Sequence, residues 1–314
     1  MHTTPSKPLT KRRRSWKRRL VRFAIVALVG WLLCGGMVSY VLTHRVRPVF
    51  AEPAPAVEGK AVESHRPVTA DGERIGAWFV RPTGSQNVTV VLLHGNNRSR
   101  RAMYPLLRTL AESGYGALAI TFRAHGDSTG RTNDIGYSMR HDVVAAVEFL
   151  EREHPGGRIV LCGTSLGSAA AVFAAKDLGP RVHGYVLDSP YLDLKTAVRN
   201  RTSMYLPPVL DDVAYGALRV WAPLFLPVSV DEISPVKRLA DIPSEIPVLI
   251  LAGSRDRHSP LEQCRAMSEA IASHSRLIVF KGARHSRLFK HDKGRYRDVL
   301  VEFLQRIAAD SELG

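Results

Sequence analysis

From residue 57 onward, short runs of β-branched and aliphatic residues alternate with longer stretches whose apolar positions recur every three or four residues. Strand character marks residues 88–93, 117–122, 159–162, 182–187, 247–253 and 276–280, several of them ending at a glycine or a polar turn. Between them, Leu106, Leu107 and Leu110 in residues 102–113 fall at helical spacing, as do Val143, Val144, Val147 and Leu150 in residues 138–153. Two earlier strand-like runs, 60–69 and 74–81, flank Asp71-Gly72, a good hairpin turn. Helices alternating with β-rich runs imply an α/β protein, with a mostly parallel sheet covered by helices on both faces.

The alternation breaks in two places. Residues 192–243 are apolar yet interrupted by prolines, around Met204 to Leu210 and Ala217 to Val230, and read as an insertion. At the other end, residues 23–42 form a twenty-residue stretch without a charge, long enough at 1.5 Å per residue to cross a hydrocarbon core of about 30 Å. Nine cations precede that stretch, and Arg45 and Arg47 follow it. Positive charge is retained on the cytoplasmic side, so the N-terminus is expected in the cytoplasm and the rest in the periplasm or outside the cell. The chain then divides into a basic tail (1–22), a transmembrane helix (23–43), a proline-rich linker (44–56) and one α/β domain (57–314, with residues 192–243 inserted). A cleaved signal peptide, with Val49-Phe50-Ala51 as its processing site, is the competing reading; the apolar stretch exceeds the usual length of such a segment.

The net charge of +15 belongs to the tail, because eleven cations and no acid lie in the first 47 residues and leave +4 for all that follows. A domain so nearly balanced needs no broad basic face, and no nucleic-acid-binding motif is present. Cys34, Cys162 and Cys264 lie in unrelated contexts and form no disulfide framework.

The chemistry is concentrated at Gly163-Thr164-Ser165-Leu166-Gly167. The pentapeptide alone is common by chance; its weight comes from the aliphatic run that enters it and the Ala-rich helical stretch that leaves it. Strand, sharp turn and helix make a nucleophile elbow, with Ser165 exposed above the sheet and the Leu166 N–H ready to donate to an oxyanion. An acid, Asp256, follows the 247–253 strand and a histidine, His285, follows the 276–280 strand, giving the order Ser, Asp, His.

In that order of residues the chain resembles the α/β-hydrolase superfamily from about residue 57 to its end, and within it the single-pass, membrane-anchored serine hydrolases of ABHD-like and bacterial type. His94-Gly95-Asn96-Asn97 resembles the loop that supplies the second oxyanion N–H, by position that of Asn96 or else Asn97. Arg123-Ala124-His125-Gly126-Asp127-Ser128 resembles another turn of the superfamily, with Ala124 where a glycine is usual. The resemblance implies an eight-stranded sheet and makes residues 192–243 a short cap over the site; an apolar cap would line a hydrophobic pocket. Packing against the sheet, or dipping toward the bilayer, are its other readings.

On this reading Ser165 is the nucleophile, His285 its base and later the acid, Asp256 the group that orients the imidazole, and Leu166 and Asn96 the backbone oxyanion donors. His258 and His291 are rival bases, and Asp193 is a rival acid. His94 and His125 read as loop-ordering residues, Arg123 and Asp127 as turn-bonding ones. No cofactor is required and no metal-ligand spacing is found. A carboxylesterase or lipase-like activity on ester or thioester bonds of small or lipid-like substrates is the leading expectation. A serine peptidase or amidase and a non-catalytic envelope scaffold are the alternatives.

Overall fold

The computed structural model describes residues 9–45, 48–83 and 87–309. Strands β1 (Glu63–His65), β2 (Gly76–Val80), β3 (Val88–Leu93), β4 (Gly116–Thr121), β5 (Arg158–Thr164), β6 (Gly184–Asp188), β7 (Val248–Gly253) and β8 (Ser275–Phe280) form one sheet in the order β1-β2-β4-β3-β5-β6-β7-β8. The six strands from β4 to β8 in that order are parallel, while β2 runs antiparallel to β4 and β1 antiparallel to β2. The described residues also form ten α-helices: α1 (Leu9–Thr43), α2 (Tyr104–Glu112), α3 (Arg140–Glu153), α4 (Leu166–Leu178), α5 (Leu194–Thr202), α6 (Pro208–Phe225), α7 (Pro235–Arg238), α8 (Leu261–Ala270), α9 (Leu288–His291) and α10 (Lys293–Ala309).

The central strands β3 and β7 are buried at every position, and mostly aliphatic, because both of their faces are covered. Along β3, Val91 and Leu93 point into the core beneath α3, α4 and α8, while Val90 and Leu92 point into the core beneath α2 and α10. Successive strand side chains face opposite ways, so one run of aliphatic residues feeds two cores. Parallel strands also gather their carboxyl ends, and the loops after β3, β5, β7 and β8, along one edge of the sheet.

Helix α1 contains the candidate membrane span, Trp16–Thr43. It leans on α6: the Trp31 indole donates to the Val213 carbonyl at 2.9 Å and the Trp221 indole to the Leu32 carbonyl at 2.8 Å. Gly35 faces Ala217 and Gly36 faces the Trp221 ring, so the missing side chains let the two backbones approach. The inserted region therefore splits in two. Helix α5 and residues near Ile233 pack on α4 through Phe173, Tyr191, Leu194 and Ala197. Helix α6, whose one buried residue is Ala217, leaves Val209, Val220 and Leu224 exposed.

The segment expected to be a spacer is knitted into the domain through Arg45 and Glu52. Arg45 donates to the carbonyls of Gly126 (3.0 Å), Gly130 (3.2 Å), His125 (3.2 Å) and Ser128. Glu52 is buried, with its carboxylate 3.0 Å from Arg100, which also holds Asp127 at 2.5 Å. Proline content signalled an extended backbone there, but the buried Glu52–Arg100–Asp127 cluster decides where that backbone lies.

Candidate active site

Ser165 ends the β5 strand and begins α4, with φ +54° and ψ −109°. A non-glycine residue rarely holds this conformation, which costs on the order of 1–3 kcal/mol, and the surroundings enforce it. A Cβ on Gly163 would collide with the Gly167 carbonyl carbon, and one on Gly167 with the Leu93 carbonyl. The Ser165 N–H donates to the Asp188 carbonyl at 2.8 Å, tying the turn to β6.

Asp256 lies in the loop after β7, its side chain wholly buried. Its Oδ1 accepts the backbone N–H groups of His258 at 2.8 Å and Ser259 at 2.9 Å, leaving Oδ2 to accept His285 Nδ1–H at 2.8 Å. With the proton on Nδ1, the Nε2 lone pair faces Ser165 Oγ at 2.9 Å and accepts its O–H. The loops thus bring together three residues 91 and 29 positions apart in sequence, Ser165, Asp256 and His285.

Of the two expected oxyanion donors, Asn96 lines the cleft that holds Ser165, and Leu166 directly follows Ser165 in the turn. The Leu166 N–H is the first of α4, where helix geometry leaves it without an intrahelical acceptor. Asn96 lines the cleft beside Gly95, and its side-chain oxygen accepts Asn133 Nδ2–H at 2.8 Å, which fixes the loop. No acceptor among the described residues engages the Asn96 N–H.

The rival residues have other partners. His291 Nε2–H donates to the Lys281 carbonyl at 3.0 Å, and Asp193 caps α5 by accepting the Thr196 N–H at 2.7 Å. The His258 ring lies 4.9 Å from that of His285 without reaching Ser165; burial, then the neighbouring His285, pushes its pKa down. His94 is wholly buried, donates from Nδ1 to the Gly95 carbonyl and accepts the Phe122 N–H on Nε2, and burial holds it neutral. His125 Nε2 accepts the Asn97 N–H at 3.2 Å. Arg123 and Asp127 do more than bond a turn: Arg123 pairs with Asp142 and Asp71, and Asp127 with Arg100 and Arg66.

Two features were not read from the sequence. Asp188, at the end of β6 beside Thr164, is buried under the site; burial pushes its pKa up to about 6, opposed by a hydrogen bond from Ser189. The strand-ending Asp-Ser pair was its signal. The second is the rim of the cleft, which has a volume of about 1250 Å³. One wall is apolar, from Ala102, Met103, Pro105, Leu106 and Phe289, and the inserted region supplies only Arg201 and Met204. The hydrophobic lining expected from the cap therefore comes from the start of α2 with the two residues before it, and from α9, because α6 packs on α1 instead. The rest of the rim is cationic: Arg201, Arg255, Arg257, Arg284, Arg287 and Lys290, with Arg98 on the loop after β3. Among the described residues, no group of three or more His, Cys, Asp or Glu side chains is placed to hold a metal.

The chain matches the family described as "Serine aminopeptidase, S33" over residues 84–232. It is similar to human protein ABHD12B, 27% identical over 68% of this chain and 60% of that one. Human monoglyceride lipase is 25% identical over 59% of this chain and 60% of its own. Among solved structures, the esterase Pf2001 of Pyrococcus furiosus superposes with a TM-score of 0.66 at 25% identity, covering 83% of this chain and 98% of that one. Sheet order, elbow and these likenesses agree, and the chain belongs to the α/β-hydrolase superfamily.

Proposed function

We propose that the protein is a membrane-anchored serine hydrolase that cleaves carboxylic ester or thioester bonds through an acyl-enzyme. One observation carries the reading: an unbroken hydrogen-bond relay from Ser165 Oγ through His285 to Asp256, with the serine held in a strained turn. His285 takes the Ser165 proton as the oxygen attacks the acyl carbon. The oxyanion accepts hydrogen bonds from the N–H groups of Leu166 and Asn96, each worth about 3 kcal/mol. Collapse of the tetrahedral intermediate expels the alcohol or thiol, which receives the proton from His285. Water then enters, loses a proton to the same imidazole, and releases the acid. Asp256 keeps the proton on Nδ1 and stabilises the imidazolium.

The apolar wall and the esterase and lipase among the similar proteins favour esters. Aminopeptidase action is the second reading, favoured by the description of the matched family. Such an enzyme must hold an α-ammonium group, whereas the cleft carries a rim of cations and its one lining carboxylate, Asp188, is buried. The anchor reading is supported by the contacts of α1 with α6, which cleavage after Ala51 would sever. Its orientation, N-terminus in the cytoplasm and catalytic domain outside, follows from the nine cations preceding the span.

Labelling by a fluorophosphonate, with turnover of p-nitrophenyl acyl esters exceeding that of aminoacyl p-nitroanilides, is the expected result. The Ser165→Ala protein should fold, take up no label and lose about 10³-fold or more in kcat. Label and turnover retained in that variant would remove Ser165 from the mechanism.

A further inference from the structure

The cations around the cleft come from four separate segments that converge on one opening. Arg98 follows β3, Arg255 and Arg257 follow β7, Arg284, Arg287 and Lys290 surround His285, and Arg201 ends α5. None of the seven has a carboxylate within ion-pair distance among the described residues, although eleven other arginines do. Other arginines of the domain also lack an ion pair, but these cations are the ones that converge on a single opening. Arg201 makes the point most sharply. It is removed from much of the solvent, burial works against its charge, and its hydrogen bond goes to the Ala197 carbonyl in its own helix. Like charges gathered around a concave, low-dielectric opening repel one another and focus a positive field into it. Such an arrangement costs stability unless an anion enters. The facing wall, from Met103 to Leu106 with Phe289, is apolar and complements a hydrocarbon chain.

We infer that the preferred substrate is an anionic amphiphile: an acyl ester that carries a phosphate or carboxylate beside its scissile bond, held by this arginine rim while its acyl chain lies on the apolar wall. This rests on the serine-hydrolase reading above and adds the substrate class. Arginine suits the task, since its planar fork binds phosphate or carboxylate oxygens in pairs. The source of the anion is either a soluble phosphate ester or the headgroup of a lipid at the membrane surface, and one experiment separates them.

The full chain in neutral detergent is assayed with 1-butyrylglycerol against 1-butyrylglycerol 3-phosphate, and with the corresponding pair of oleoyl esters in micelles. Within each pair the scissile ester is the same. The expected result is a kcat/KM at least fivefold higher for the phosphate ester at low salt, falling toward parity in 0.5 M NaCl as the field is screened. Preference in both pairs assigns recognition to the phosphate group itself; preference in the oleoyl pair alone assigns it to a lipid-borne headgroup. The double variant Arg257→Glu, Arg287→Glu should bring the ratio of the two kcat/KM values to one or below. Arg265→Glu, an exposed change on α8 outside the cleft, should keep it. Equal or better hydrolysis of the neutral esters overturns the inference and leaves the hydrolase intact. Absence of both hydrolysis and fluorophosphonate labelling overturns the hydrolase reading and this inference with it.

Discussion

Around Ser165, the turn and its partners are held by polar groups on the side away from the cleft: Gly167 against Leu93, the Ser165 N–H on Asp188, and the Asp256 carboxylate filled by two N–H groups and an imidazole. Around α6, by contrast, the main partner is α1, and Val209, Val220 and Leu224 stay exposed. The first region has one set of partners that satisfies its hydrogen bonds, so its geometry is over-determined. In the second, apolar side chains meet the uncharged stretch of α1, residues 23–42, and contact is secured by two indole hydrogen bonds and the small residues at the crossing. Dense polar closure fixes reacting atoms to a fraction of an ångström; apolar contact alone fixes a neighbour and little more.

The sharpest way to break this contrast is at the base. His285→Ala should cost about 10⁴-fold in kcat while thermal unfolding shifts little, and His258→Ala should cost less than tenfold. Reversal of that ranking would move the base to the other ring. The contact of α1 with α6 should behave in the opposite manner. Gly36→Leu drives a side chain into Trp221, so residues 204–226 should become several-fold more sensitive to limited proteolysis, while fluorophosphonate labelling persists. Loss of labelling would show that the two regions are one unit.

Asp188 offers a pH test of the buried region. Its folded pKa, about 6, lies above the unfolded value near 3.8, so between those values the unfolded chain releases a proton that the native protein keeps. This term therefore lowers stability as pH rises from about 4 to 6, on the order of 1–3 kcal/mol, and Asp188→Asn should flatten that slope in denaturant titrations. An unaltered slope would place the burden elsewhere. The smallest effect is expected at Ala124, held at φ +58°. Ala124→Gly relieves the left-handed strain against a loss of chain entropy and should stabilise by about 0.5–1 kcal/mol in chemical denaturation.

Elements with a single possible partner were legible in the sequence. The aliphatic strands and the glycines beside Ser165 form a local pattern, and Asp256 and His285 stand where strands end, although His258, His291 and Asp193 could be set aside only by their partners in the structure. Residues 192–243 did not read so cleanly, because an apolar helix such as α6 suits a cap, a sheet face or another apolar helix equally, and Gly35 and Gly36 gave no hint that Ala217 would meet them. Nor did the linker: Glu52 stands among prolines as a surface residue would, and its burial depends on Arg100, 48 positions away. Charge misled for a related reason. A near-balanced total after residue 47 suggested no basic face, yet seven unpaired cations converge on one opening. A sum along the chain is blind to where loops meet.

The clasp of Arg45 on four loop carbonyls bears on how substrate is met. A long free tether would let the catalytic unit tumble, presenting its opening in every direction. Fastened within two residues of the end of α1, the unit keeps a constant heading relative to that helix. With α1 as the proposed membrane anchor, encounter becomes a search along a surface instead of through a volume, and inserting glycines before Glu52 would leave that heading unchanged.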